Sequence, residues 1–199
     1  MTTSNAGAAE VFGDIGSVFR QLMTDPVGKI GAAFSSLSVN RAQLVGLVLC
    51  AIFALVMALG VTMGTSSFFG MLGTVGFGQS AITRFFQSML QYLAMAATMI
   101  GISFGIRRLG GSKHPVAHDA FIVGVAVTPL GICALLAGLL GSLELALLLG
   151  LLGISFAILI LYSGLTTISG LATRTASLAV PIIIAGGIWI SGRVVALFW

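Results

Sequence analysis

A chain of 199 residues that is 58% hydrophobic and 7% charged, with a net charge of +4, is no ordinary soluble domain, where about 25% of residues carry charge. Nine Lys and Arg in all, with no basic cluster interleaved with aromatics, give no footprint for nucleic acid. What is left is an all-α polytopic membrane protein: five transmembrane helices preceded by short amphipathic ones.

Residues 1–8 are small and polar, which predicts a disordered N-terminus. Residues 9–42 read as amphipathic juxtamembrane helices. Val11, Ile15, Val18, Phe19 and Leu22 recur at helical spacing. Thr24-Asp25-Pro26 then breaks the pattern, Asp25 suiting an N-cap and Pro26 the first helical position. A second amphipathic helix carries Val27, Ile30, Phe34 and Leu37 on one face. Asp25 and Pro26 are expected to fix the angle of a platform. Its apolar face is expected to touch membrane lipid, with a cytosolic partner as the rival occupant.

Residues 43–199 form the transmembrane domain. Apolar stretches run over 43–64, 87–106, 119–140, 143–162 and 176–197, each near the ~20 residues a helix needs to cross hydrocarbon. The runs are continuous rather than alternating, which points to helices and away from a barrel. Between the first two spans, the glycine-rich half of 64–89 reads as a loop. Ile82, Phe85, Phe86 and Met89 then share a helical face that lengthens the second span, with Arg84 snorkelling to headgroups. Gly141-Ser142 leaves room only for a tight antiparallel hairpin. Arg20, Lys29, Arg41, Arg107, Arg108, Lys113 and Arg174 fall on one side of five crossings, and Arg84 and Arg193 on the other. Cations stay cytoplasmic, so the N-terminus is expected inside and the C-terminus outside a bacterial inner membrane.

Chemistry is sparse. His114-Pro-Val-Ala-His118-Asp119 resembles part of a metal site, but no third histidine exists. Pro115 and Asp119 read more simply as the opening and cap of the third span. Neither a metal nor a cofactor is expected, and no catalytic set is apparent. Ionisable groups fall at span ends and none at mid-depth, which argues against an ion-coupled pump. Cys50 and Cys133 read as apolar packing residues. Small residues four apart at Gly60 and Gly64, Gly101 and Gly105, and Gly187 and Ser191 read as helix-packing stripes, within the bundle before between copies. Pro129 and Pro181 mark helix kinks.

The order of signals resembles the bacterial branch of the Yip family. It rests on the DP-opened juxtamembrane helix LMTDPVGKIGAAFSSLS (22–38), the proline-bearing third span FIVGVAVTPLGICALL (121–136), and LILYSGLTTISGLATRTASLAVPI (159–182). The resemblance implies a five-helix bundle with a cytoplasmic N-terminus and non-enzymatic work in membrane organisation. The tyrosine and glycine that precede the third-span proline in eukaryotic members are not reproduced, Gly124 and Pro129 being the nearest counterparts. The expected function is therefore a scaffold or membrane-organising subunit, with membrane lipids, other membrane subunits or a second copy as partners. The alternative is a component of a small-molecule or lipid transport system.

Overall fold

The computed structural model describes residues 8–25, 27–63 and 81–197. Pro26, Gly64 and Trp199 lie outside them, as does nearly all of the segment expected to be disordered. The described residues form seven helices and no strand: α1 Ala8–Thr24, α2 Ile30–Ser35, α3 Val39–Met63, α4 Ala81–Leu109, α5 Ala117–Leu140, α6 Leu143–Thr167 and α7 Thr173–Ala196. The last five are long and apolar enough to cross a membrane. Each overruns its apolar core by several residues, because a hydrogen-bonded helix continues through polar residues that can reach headgroups. The second span does begin at Ala81, taking in the lengthening turn expected there.

The spans run back and forth, so α1, α2, the starts of α3, α5 and α7, and the ends of α4 and α6 gather at one end, here called the N-terminal end. All of the nine Lys and Arg except Arg84 and Arg193 lie at this end. Helix α5 is the most buried span and packs between α3 and α6, while α7 packs on α4. Few residues join α6 to α7 or α4 to α5.

The α3–α5 contact is backbone on backbone. A Cβ on Gly60 would lie 2.6 Å from the Ala134 carbonyl oxygen, and one on Gly46 2.6 Å from Phe121 Cα. From the other side, Gly124 faces the Gly46 backbone and Gly138 faces Gly60. Lipid supplies no hydrophobic drive between helices, so close van der Waals approach over such small residues is what holds them. The α5–α6 hairpin turns on Gly141 at φ 64°, a left-handed conformation suited to glycine. Ser142 caps α6 by accepting from the Leu145 N–H at 3.4 Å.

Candidate functional site

Sequence reasoning placed Arg107 among the loop cations and Asp119 as a helix cap. Both placements are corrected. Helix α4 continues to Leu109, and α5 starts at Ala117 with Val116 as N-cap and no side-chain cap. The short connection brings Arg107 and Asp119 together as an ion pair in which neither side chain has any exposed surface. Arg107 Nε donates to both carboxylate oxygens, at 3.2 and 3.1 Å. Nη2 donates to Asp119 Oδ2 and, at 3.1 Å, to the Pro115 carbonyl. Nη1 donates to Ser112 Oγ at 3.2 Å and to the His114 carbonyl at 2.7 Å. Ser103 Oγ donates to Asp119 Oδ1 at 2.7 Å. A guanidinium has five N–H donors, and every one is used. The pair closes the terminal turns of the second and third spans rather than their middle, and leaves no valence for a substrate.

Beside it, the His114 and His118 rings lie 4.7 Å apart, and His118 lies 4.6 Å from the Phe34 ring. With Asp119 committed to Arg107, the described residues contain no group of three His, Cys, Asp or Glu that could hold a metal ion. Cys50 and Cys133 are buried free thiols.

The amphipathic platform turns its apolar face the other way from the sequence expectation. Ile30 is fully buried and Phe34 half-buried, its ring 5.4 Å from Phe121. Leu37 packs against the same core. Ser163 Oγ of α6 donates to the Val27 carbonyl at 2.6 Å. These residues hold α2 on the bundle itself, because Phe121, Ile122 and Gly164 leave an apolar seat there; Ile30 has no surface to offer a partner. Asp25 works as a cap: its Oδ1 accepts from the Gly28 N–H at 2.7 Å. Helix α1 is tied down by Arg41, which pairs with Glu10 and lies 3.6 Å from Asp14. The α1 surface that stays open carries Phe19 and Arg20.

The packing stripes divide. Gly60 abuts α5, Gly187 meets the Met99 side chain, and Ser191 is buried. At Gly101 and Gly105 a Cβ would meet nothing within 4 Å, so this stripe is open rather than packed in the bundle. It lies on the face of α4 that turns away from α3 and α7.

The inner face of α4 holds what sequence reasoning missed. Gln87, Ser88, Gln91 and Tyr92 are buried there, followed by Met95 and Met99. Gln87 Oε1, Ser88 Oγ and Gln91 Oε1 have no hydrogen-bond partner. Below Gln91 lies a cavity of about 80 Å³ reached by all five spans. Met57, Met95, Leu130, Ala157 and Ile188 give it apolar walls, and Gln91 and Ser191 are polar. Pro129 lies inside α5 next to the lining residue Leu130, and Pro181 lies inside α7 one turn before Ile184, but neither proline itself lines the space. A proline removes a helix hydrogen bond and loosens the local packing. The signal was available: 87, 88, 91, 95 and 99 share one helical face. Comparison with protein-family models, with curated proteins and with solved structures gives no match in any of the three.

Proposed function

We propose that this chain is a non-enzymatic protein of the bacterial inner membrane, of the Yip type, with its N-terminus in the cytoplasm and its C-terminus outside. It works as a scaffold or membrane-organising subunit. The observation that carries this reading is the state of the charges at the N-terminal end. Glu10, Asp14 and Asp119 are taken up by Arg41 and Arg107, while Arg20, Lys29, Arg108, Lys113 and Arg174 stand exposed. Each such cation near an anionic leaflet contributes about 1 kcal/mol of attraction, and together they favour the cytoplasmic side. Membrane lipids are thus the first partner. The open stripe at Gly101 and Gly105 suits a helix of another subunit or of a second copy.

Cross-linking a tagged copy in native membranes, followed by identification of the recovered lipids and proteins, tests the reading. Changing Arg20, Lys29 and Arg174 to Gln should reduce recovery of anionic lipid several-fold. Unchanged recovery refutes it.

A second reading, a component of a solute or lipid transport system, is favoured by the cavity and the polar inner face of α4. Its test is flux: purified protein in liposomes should then release a trapped solute or scramble lipid, and a scaffold should do neither.

A further inference from the structure

Gln91 is 7% exposed, it lines the central cavity, and its Oε1 accepts from nothing. An acceptor buried without a partner costs about 1–3 kcal/mol, and native structures seldom carry one without a reason. Here three stand on one helix face. Gln87 Oε1 and Ser88 Oγ lie one turn above Gln91 on the way to the far end of α4. The rest of the wall is methionine, aliphatic carbon and Tyr92, with Ser191 as a further polar residue, its hydroxyl donating to the Ile188 carbonyl at 2.9 Å.

We propose that the central cavity is a binding site for a small neutral molecule that joins a hydroxyl to a short apolar body. Its O–H donates to Gln91 Oε1, which has almost no exposed surface and meets the ligand by a turn of the Gln91 amide, and its carbon chain lies against Met57, Met95 and Leu130. The ligand is neutral because no residue that is charged at neutral pH lines the cavity to balance a charge in low dielectric. It is small because a cavity of ~150 Å³ takes benzene, so about 80 Å³ takes roughly three or four heavy atoms. It must be a donor because the unused group is an acceptor. The inference goes beyond both readings above: a scaffold can hold such a molecule as a fixed component, and a transporter can release it.

The probes are fluoroethanol and fluoropropane, of equal size, with a methyl replacing the hydroxyl. Fluorine NMR of each is recorded against the protein in nanodiscs, with empty nanodiscs subtracted. The alcohol should bind saturably and about three- to tenfold more tightly than the alkane, the value of one net hydrogen bond. In Gln91→Leu that preference should vanish while fluoropropane still binds. Ala157→Leu, which fills the cavity and spares Gln91, should remove both signals. Equal binding of the two probes means a dry apolar void or a water held by Gln91, and overturns the proposal. So does an alcohol preference that survives Gln91→Leu, or the absence of saturable binding in the wild-type chain.

Discussion

Near the N-terminal end of α4, Ser103 and Arg107 meet Asp119 in a cluster where each donor of the guanidinium has an acceptor. Near the other end of the same helix, Gln87, Ser88 and Gln91 are also buried, yet each leaves an oxygen with nothing to accept from. The more costly groups to bury, a guanidinium and a carboxylate, are the satisfied ones. The neutral amides and the hydroxyl, cheaper to leave wanting, are the unsatisfied ones. The contrast separates a structural closure from a place able to receive a ligand. Saturation leaves nothing to bind with, and vacancy is a standing free-energy cost that a donor can relieve.

Five substitutions test that contrast, and denaturation of the purified protein in detergent reads all of them. Arg107→Met should cost about 3–5 kcal/mol, since it strands Asp119 in a buried setting. Adding Asp119→Leu to it should recover most of the loss, because a well-packed apolar pair often replaces a buried ion pair at little cost. A double variant as unstable as the single one would mean that the cluster's backbone contacts, not its charges, hold the two spans together. Ser103→Ala should lose about 1–2 kcal/mol, as one carboxylate oxygen loses a hydroxyl donor. Gln91→Leu should move the other way, gaining roughly 1 kcal/mol by removing an unsatisfied acceptor. Ser88→Ala should stay within about 0.5 kcal/mol of the parent, or gain slightly. A loss of similar size in Ser88→Ala and Ser103→Ala would erase the distinction between the two ends.

The five spans were legible because hydrocarbon thickness and backbone satisfaction leave a long apolar run one solution. Arg107 was not. Beside Arg108 it reads as half of a cationic loop, and only the helical phase, which continues the face of Met99 and Ser103, separates the buried arginine from the exposed one. Asp119 misled for a related reason: its position in a first turn suits capping as well as pairing, and the partner twelve residues upstream is set by how the helix ends, not by local pattern. The apolar stripe of α2 was read correctly as a stripe. What covers it depends on whether the bundle offers a seat, and Phe121, Ile122 and Gly164 meet there only in three dimensions.

The glycines that bring α3 and α5 together stand fourteen residues apart in both helices, Gly46 and Gly60 against Gly124 and Gly138. Fourteen is two heptads, so the two points of closest approach return to the same side of each rod and favour a slight left-handed wind. The pair acts as a gauge with two teeth. One residue inserted between Gly46 and Gly60 turns everything beyond it by about 100° and lifts the second tooth from its notch. An insertion in the segment that joins Met63 to Ala81 leaves both engaged. Length drift in this chain is thus confined to its connections.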